Sequence, residues 1–351
     1  MQAEMTTACL VAAKTIDLRS LPCPEPGQNG LILKMEACGI CGSDLRRWKE
    51  GPPPGTDLVV QGHELAGTVV ETGPEVLRFK PGDRLAVAPD IHCGACWYCR
   101  RGKFNLCTDL RLLGITPGCK GGFAEYVRLG EDVLTRGIVH PMPEGLSFQE
   151  GALAETLASV VASHEKCGLR LGETMVVLGA GPIGCLHVAL GRAQGARVIV
   201  SQPSQTRRRI VQQFQPEAIL DPATQDVVAE VKRMTGQLGA DVVICANPVG
   251  STQTQAVEIA RRGGRIVLFG GLPKANPMVS LDANSIHYGE KHILGAFSYH
   301  PSFHEIALRL LADKTIETRH LITHRVTLSK IAEGFQIASS GEALKVMVVP
   351  G

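Results

Sequence analysis

The sequence predicts an α/β protein with two parts, a β-rich first domain and a second domain built on a doubly wound parallel sheet. Its length of 351 residues suggests about two domains of ~150 residues each. Short β-prone segments separated by Gly/Pro turns fill the first part. Near residue 150 the pattern changes to apolar strands that alternate with helices, which is typical of a parallel sheet covered on both faces.

The first part contains β-rich segments but no long helical repeat. Turns such as "KPGD" separate these segments, which are "GLILKMEACGI", "LAGTVVETG", "DRLAVAP" and "GGFAEYVRL". This pattern indicates a small, irregular, mostly β domain. The stretch "SFQEGALAETLASVVASHEKCG" then shows helical periodicity and marks the change to the second domain.

The second part alternates strands with helices in a regular order. Six continuous apolar segments predict the strands: "TMVVLGA", "ARVIVSQ", "EAILD", "DVVICAN", "GRIVLFGG" and "HILGAFS". Stretches such as "GCLHVALGRAQG" and "QDVVAEVKRMTGQLG" predict the helices between them. Parallel strands that are buried on both faces read as continuous apolar runs, so we expect a doubly wound sheet.

Composition excludes several classes of function. Hydrophobic residues make up 44% of the chain, charged residues 20%, and the formal net charge is +2, so nothing indicates a nucleic-acid partner. No apolar run reaches the length of a membrane span. The start, "MQAEMTTACLVAAKTIDL", lacks a basic region and a continuous apolar stretch, so we expect no signal peptide. Twelve cysteines in such a chain indicate reduced thiols and a cytoplasmic protein.

Four cysteines form a dense cluster within "HCGACWYCRRGKFNLC" with the spacing C-x2-C-x2-C-x7-C: Cys93, Cys96, Cys99 and Cys107. A disulfide cluster is disfavoured in a reducing compartment. An iron–sulfur motif of the bacterial type continues with x3-C-P, whereas here the fourth cysteine comes later and is followed by Thr108. Four thiolates that close a tetrahedron fit a structural zinc site without an open position. We therefore expect the chemistry to lie elsewhere.

A glycine-rich turn follows the first strand of the second domain. The segment "VVLGAGPIG" contains Gly179, Gly181 and Gly184, with Pro182 and Ile183 between the last two glycines. The first glycine permits the tight turn, the second lets the backbone approach a pyrophosphate, and the third lets the helix pack on the strand. The position between a strand and a helix predicts a dinucleotide site rather than an ordinary turn.

The end of the second strand indicates which nicotinamide cofactor is used. An acidic residue at this place binds the ribose hydroxyls and disfavours a 2′-phosphate. Here Ser201 and Gln202 take its place, and Arg207 leads the run of arginines at 207–209. We therefore expect NADP(H) to be favoured over NAD(H). NAD stays open as the alternative, because Gln202 can hydrogen-bond a ribose hydroxyl and the arginines can form a solvated helix face.

Two further motifs supply a second set of metal ligands. "EACGICGSDLRRW" and "QGHELAG" contain Cys41, Ser43, Asp44, His63 and Glu64. With "GGFAEY", "ETLA", "GAGPIG" and the four-cysteine lobe, the chain resembles the zinc-dependent medium-chain alcohol and polyol dehydrogenases along its whole length. It is most similar to the sorbitol branch, which has "EPL" where this chain has Glu155, Thr156 and Leu157.

The resemblance implies a fold and a set of roles. Residues 1–152 and 299–351 would form a GroES-like catalytic domain, and residues 153–298 a Rossmann domain. Cys41 and His63 would hold a catalytic zinc, with Glu64 as a third ligand, direct or intermittent, and Glu155 as a further ligand that acts directly or through water. Ser43 would relay the substrate's hydroxyl proton, and Asp44 would orient the ligands. Thr156, which replaces proline, is expected not to touch a metal ligand. Such a zinc ion is a Lewis acid that assists hydride transfer from an alcohol to the nicotinamide.

The resemblance also bears on substrate and assembly. Leu272 and Phe297 would contact the cofactor and Tyr299 the substrate. Sorbitol-type enzymes carry His-Tyr where this chain has Arg46 and Arg47, and an arginine where it has Ser298. Arginine is suited to a phosphate or a carboxylate, so Arg47 indicates a polyol that is phosphorylated or otherwise anionic, unless both arginines face solvent. A homodimer or homotetramer is expected.

We therefore predict hydride transfer between a nicotinamide cofactor and a secondary alcohol of a polyol or sugar-alcohol derivative, with two zinc ions per chain. The alternatives within the superfamily are a threonine-, cyclitol- or amino-sugar-type dehydrogenase and a zinc-independent quinone or enoyl reductase. The alternative outside enzymes is a sensor that binds NADP(H) without turnover.

Overall fold

The structure is a computed structural model that describes residues 3–56 and 58–351. These residues form two compact units. Unit 1 comprises the described residues up to Ala158 together with Ser298–Lys314 and Leu321–Gly351. Unit 2 comprises Ser159–Phe297 and Thr315–His320. The first division falls inside a helix, a few residues beyond the change of pattern in the sequence.

Unit 1 is rich in short strands, as the Gly/Pro punctuation predicts. Its strands before the first division are β1 (Glu4–Ala12), β2 (Thr15–Pro22), β3 (Leu31–Gly39), β4 (Glu64–Thr72), β5 (Arg84–Ala88), β6 (Asp90–Ile91), β7 (Arg111–Leu112), β8 (Tyr126–Leu129) and β9 (Ile138–Pro141). The helices of this part are α1 (Gly42–Glu50), α2 (Glu131–Arg136) and α3 (Phe148–Cys167), the last of which contains the division.

Unit 2 contains the predicted alternation of strands and helices. Its strands are β10 (Thr174–Leu178), β11 (Arg197–Ser201), β12 (Ala218–Leu220), β13 (Ala240–Cys245), β14 (Ala260–Leu268) and β15 (His292–Gly295). Its helices are α4 (Pro182–Ala193), α5 (Gln205–Gln212), α6 (Val227–Met234), α7 (Gly250–Ile259) and α8 (Ala283–Gly289). The last elements of unit 1 follow them: α9 (Pro301–Ala312), β16 (Ile322–Thr327), α10 (Ile331–Ser340) and β17 (Lys345–Val349).

The sheet of unit 2 confirms the predicted doubly wound fold. Its strand order is β12-β11-β10-β13-β14-β15, and every pairing is parallel. All five residues of β10 are buried, which explains why the central strands read as continuous apolar runs. The order reverses between β10 and β13, and ligands of such sheets bind beyond the carboxyl ends of the strands at this point.

Strand β3 organises the sheet of unit 1. It pairs with β4 along its whole length, while its other edge is shared by β8 near the start and β17 near the end. As a result, Gly39 lies opposite Glu64 of β4 on one side and opposite Met347 of β17 on the other. Alternate strand residues share a face, so Lys345 is on the same side of β17 as Met347. A segment from the end of the chain thereby reaches the start of β4.

Candidate functional site

The four-cysteine lobe lies between β6 and β7, and its sulfur atoms all lie within 4.8 Å of one another. The Sγ–Sγ distances are 3.5 Å for Cys96–Cys99 and 3.9 Å for Cys93–Cys99. Four sulfurs at ~2.3 Å from a tetrahedral zinc would be about 3.8 Å apart, so this arrangement fits the metal. Backbone N–H groups of Cys93, Cys96 and Asp109 donate to sulfur atoms of the lobe.

At Cys93 and Cys96 these backbone contacts favour the thiolate, which is the form that binds metal, whereas burial raises the pKa of Cys99 to about 12 and also raises the pKa of Cys107. Hydrogen bonds from the backbone of Cys99 and Thr108 lower the pKa of Cys96 to about 5. Backbone hydrogen bonds likewise lower the pKa of Cys93. The four ligand positions are all filled by sulfur, so none is left open for a substrate.

A second group of ligand atoms lies at the start of β4. The Cys41 thiol, the His63 imidazole and the Glu64 carboxylate have ligand atoms within 4.8 Å of one another. His63 and Glu64 are almost completely buried, with exposed fractions of 2% and 0%. Cys41 is the N-cap of α1, and its backbone N–H donates to Asp44 Oδ2 at 2.9 Å. A thiolate, an imidazole and a carboxylate fit a zinc ion that keeps a fourth position open.

Ser43 and Asp44 contact the two nitrogens of the His63 ring. Ser43 Oγ lies 3.3 Å from Nε2, and Asp44 Oδ1 lies 3.5 Å from Nδ1, a charge contact rather than a well-aligned hydrogen bond. Burial lowers the pKa of His63, but Asp44 and Cys41 outweigh burial, so the pKa lies well above its ordinary value. The Gln61 side chain holds Asp44 in turn, at 3.1 Å from its backbone oxygen. Asp44 therefore orients the imidazole and leaves Nε2 for a metal.

Glu64 forms a buried ion pair that the sequence did not reveal. Lys345 Nζ lies 2.5 Å from Oε1 and 2.7 Å from Oε2 of Glu64, and both side chains are almost fully buried. Burial lowers the pKa of Lys345, but the Glu64 carboxylate outweighs it and raises the pKa above its ordinary value. A Cβ atom at Gly39 would lie 1.9 Å from Glu64 Oε2, so only glycine leaves room for this carboxylate.

Glu155 lies on α3 beside this group but belongs to neither of the two metal-ligand clusters in the described part of the chain. Its role as a zinc ligand stays a prediction. Thr156 Oγ1 donates to Glu64 Oε1 at 3.0 Å and lies 3.4 Å from Glu155 Oε2. The expectation that Thr156 touches no ligand is therefore wrong. Burial raises the pKa of Glu155 to about 7, against the opposing effect of His63.

Three further side chains of unit 1 stand near these carboxylates. Ser298 donates a hydrogen bond to Asp90, whose pKa burial raises to about 6. Tyr299 is 3% exposed, and its hydroxyl has no hydrogen-bond partner among the described residues. Burial raises the pKa of Tyr299 well above its ordinary value, with further contributions from Glu155, Asp90 and Glu64. Tyr299 therefore offers a neutral hydroxyl for a ligand.

The two arginines of α1 differ in their surroundings. Arg46 is exposed, whereas Arg47 is partly buried and lies 3.7 Å from Glu50. Arg47 also lines a small pocket together with Thr116 and Lys120. Ser43 and Arg47 are four residues apart on α1 and thus share a helix face.

The predicted dinucleotide residues meet at the carboxyl end of β10. Gly179 has a φ of 108°, which only glycine adopts readily. A Cβ atom at Gly184 would lie 2.0 Å from the Gly179 oxygen, so the third glycine permits close packing. Gly181 is the N-cap of α4, Pro182 is its first residue and Ile183 follows. The free N–H groups of this helix start fit a pyrophosphate.

The segment after β11 contains the residues that are predicted to contact the ribose. Ser201 and Gln202 are buried, and Gln202 Oε1 accepts a hydrogen bond from the Ser204 backbone at 3.0 Å. A Cβ atom at Gly181 would lie 3.8 Å from Arg207 Nη1, so this guanidinium reaches the glycine turn. Arg208 is held by Asp221 at 2.8 Å.

Leu272 follows β14 and Phe297 follows β15, on the carboxyl-end side of the sheet where the dinucleotide residues also lie. Phe297 is 57% exposed. Their contacts with a cofactor stay predictions.

Sequence reasoning missed Lys345 and Asp90. The signal for Lys345 was a lone lysine inside the apolar run "ALKVMVV", since a lysine is rarely buried unless it is paired. Asp90 gave a weaker signal, because an aspartate next to a proline in "APDIH" is equally typical of an exposed turn.

Among the described residues, no helix combines the length and the apolarity that crossing a membrane requires.

Comparisons with known proteins cover nearly the whole chain. Residues 27–144 match the family model of the alcohol dehydrogenase GroES-like domain, and residues 182–313 match that of the zinc-binding dehydrogenases. The sorbitol dehydrogenase of Bacillus subtilis (strain 168) is 32% identical over 355 residues, which covers 99% of this chain and 97% of that protein. The sorbitol dehydrogenase of Gallus gallus is 32% identical, with coverage of 96% and 94%.

Solved structures of dehydrogenases share the fold of this chain over nearly its whole length. A zinc-binding dehydrogenase from Sinorhizobium meliloti 1021, bound to NADP, superposes with a TM-score of 0.91 at 36% identity and covers 99% of this chain and 100% of that one. The 2R,3R-butanediol dehydrogenase from Bacillus subtilis has a TM-score of 0.89 at 29% identity, with coverage of 99% and 100%. The predicted family and fold are confirmed: the chain belongs to the zinc-dependent medium-chain alcohol and polyol dehydrogenases.

Proposed function

We propose that the protein transfers hydride between NADP(H) and a secondary alcohol of a polyol or sugar-alcohol derivative. One observation carries this proposal: Ser43 Oγ lies 3.3 Å from His63 Nε2, within the group formed by Cys41, His63 and Glu64. A zinc ion held by these residues would supply a Lewis acid for the substrate oxygen, and a nicotinamide would give or take the hydride. The sorbitol and butanediol dehydrogenases among the relatives support a substrate with neighbouring hydroxyls.

The residues of unit 1 can manage the proton and the remaining hydroxyls. An imidazole nitrogen has one lone pair, so Nε2 of His63 binds either a metal or the hydrogen of Ser43. When a metal takes this nitrogen, the Ser43 hydroxyl can accept a hydrogen bond from a substrate hydroxyl and relay its proton, taking that proton while its own passes to water. The Tyr299 hydroxyl, which has no hydrogen-bond partner in the part of the chain that the structure describes, can bind another hydroxyl of the same polyol. Two hydroxyl contacts of this kind distinguish a polyol from a simple alcohol.

A second candidate substrate is a phosphorylated polyol. Arg47 shares a face of α1 with Ser43, and Arg47 and Lys120 line one pocket. Two cations near the far end of a substrate would favour an anionic group, although Glu50 lies 3.7 Å from Arg47 and offsets part of its charge.

The test is nicotinamide absorbance on zinc-loaded protein, with NAD and NADP each offered matched free and phosphorylated polyols. Turnover of free polyols supports the first candidate. If phosphorylated polyols are preferred, Arg47→Tyr should shift the preference toward free polyols by about tenfold or more, since a charged hydrogen bond contributes ~1.5–3 kcal/mol. Arg46→Ala, which changes an exposed neighbour, should leave the ratio unchanged. No turnover in any pairing would contradict the polyol assignment.

The cofactor preference rests on Arg207. We expect Arg207→Ala to raise KM for NADP by about tenfold to a hundredfold and to leave KM for NAD nearly constant, because only NADP carries the 2′-phosphate. The NADP-bound relative supports this preference. Arg209→Ala is the control, since Arg209 is exposed on the same helix. Equal changes in KM for NADP and for NAD would show that Arg207 does not bind the 2′-phosphate.

We further propose two zinc ions per chain, one in the four-cysteine lobe and one at Cys41, His63 and Glu64, with Glu155 as a further ligand. A cytoplasmic location is supported by the twelve free cysteines. A homodimer or homotetramer is proposed from the family resemblance.

A further inference from the structure

The Thr156 hydroxyl lies between two carboxylates of the catalytic site. Its Oγ1 is 3.0 Å from Glu64 Oε1 and 3.4 Å from Glu155 Oε2. Thr156 is 4% exposed and Glu64 is fully buried, so solvent does not screen these contacts. A proline at this position would offer no hydroxyl, so the contact depends on the threonine of this chain.

The acceptor positions of Glu64 are nearly all in use. A carboxylate has about four lone-pair positions on its two oxygens. Oε1 accepts from Lys345 at 2.5 Å and from Thr156 at 3.0 Å, while Oε2 accepts from Lys345 at 2.7 Å. Both positions on Oε1 are thus taken, and one position on Oε2 is left. A metal that binds Glu64 through Oε1 has to displace Thr156 or Lys345.

Lys345 is the less replaceable of these two partners. It is a buried cation, and among residues 3–56 and 58–351 Glu64 is its one anionic partner at bonding distance. Removing one partner of a buried ion pair is strongly unfavourable, whereas a neutral hydroxyl can turn away at much lower cost. Thr156 is therefore the exchangeable partner of Glu64.

A hydroxyl carries a single hydrogen, so Thr156 donates to one carboxylate at a time. The shorter distance assigns that hydrogen to Glu64. We propose that Thr156 is a positioning residue that, together with Lys345, occupies Oε1 of Glu64 and leaves Oε2 as the oxygen open to the catalytic zinc. When the hydroxyl turns to Glu155, Oε1 of Glu64 becomes available as well. Thr156 thereby selects which oxygen of Glu64 binds.

The test uses the zinc enzyme and its cobalt-substituted form, because the cobalt absorption bands report the ligands directly. Thr156→Val keeps the shape of the side chain and removes the hydroxyl. We expect this variant to change the cobalt bands and to slow metal release to a chelator by about tenfold, since the metal can then use either oxygen of Glu64. Thr156→Ser keeps the hydroxyl and should restore both properties. If Thr156→Val does not fold, Thr156→Ala takes its place. It also lacks the hydroxyl and should show the same changes in the cobalt bands and in the rate of metal release.

Ser163→Ala is the matched control, because Ser163 is a buried hydroxyl residue of the same helix that donates to the Val160 backbone. It should change neither measurement. Unchanged bands and release in Thr156→Val would overturn the proposal, and faster release would do so as well, since Thr156 would then support the metal. The inference rests on the proposed zinc site and not on the proposed substrate. If the protein turned over no polyol, the cobalt bands and the rates of metal release would still test it.

Discussion

Replacing Lys345 with methionine should lower the free energy of unfolding of unit 1 by about 3–5 kcal/mol. The substitution keeps the volume of the side chain but leaves the buried Glu64 carboxylate without its cation. The measurement is urea unfolding followed by tryptophan fluorescence. Both tryptophans of the chain, Trp48 and Trp97, lie in unit 1, so the signal reports this unit alone.

Lys314→Met is the matched control for this experiment. Lys314 also pairs with a glutamate, Glu150, at 2.7 Å, but its side chain is 56% exposed. Such a pair contributes about 1 kcal/mol or less. The double variant Lys345→Met with Glu64→Gln should recover much of the lost stability, because the unpaired charge is gone. Equal effects of Lys345→Met and Lys314→Met would contradict the importance of the buried pair.

Cys41→Ser should remove one zinc ion per chain and reduce kcat by about a thousandfold or more. The expected size follows from Lewis-acid catalysis, which supplies several kcal/mol, with each ~1.4 kcal/mol worth a factor of ten. Serine is a good N-cap, so the start of α1 should be preserved and the loss should come from the metal. Metal content by mass spectrometry and turnover by nicotinamide absorbance are the two readings.

Cys38→Ala is the control for the cysteine experiment. Cys38 lies three residues before Cys41 and is fully buried, but it belongs to neither ligand group in the described residues. We expect it to keep its zinc and most of its activity. Retention of both metal and turnover in Cys41→Ser would remove the basis for a zinc-dependent mechanism and would favour a zinc-independent reductase on the same fold.

Local motifs made much of the molecule predictable. The parallel sheet of unit 2 followed from continuous apolar strands, and the glycine turn followed from the strict geometry at Gly179 and Gly184. The four-cysteine lobe was predictable because its ligands lie within 15 residues of one another. In each case the interacting residues are close in the sequence or are fixed by a repeated pattern.

The remaining features depend on strand pairings and on helix packing that no local pattern specifies. Lys345 meets Glu64 only because β3 pairs with both β4 and β17. The contact of Thr156 with Glu64 depends on which face of α3 packs against β4, and a helix with apolar residues on most sides does not reveal that face. Ser298 and Asp90 are 208 positions apart in the sequence, and their contact likewise depends on the tertiary fold and not on a local motif.

The pairing of β17 with β3 has a consequence for how the enzyme is made. Glu64 and Lys345 are 281 residues apart, and all of Ser159–Phe297 is synthesised between them. On the ribosome, β4 therefore emerges long before its counter-ion exists. During that interval the Glu64 carboxylate stays hydrated or takes another cation, so the first unit to begin translation is the last to reach its final form. Zinc loading of this site is then expected to follow the synthesis of β17, whereas the four-cysteine lobe can bind its metal earlier in translation.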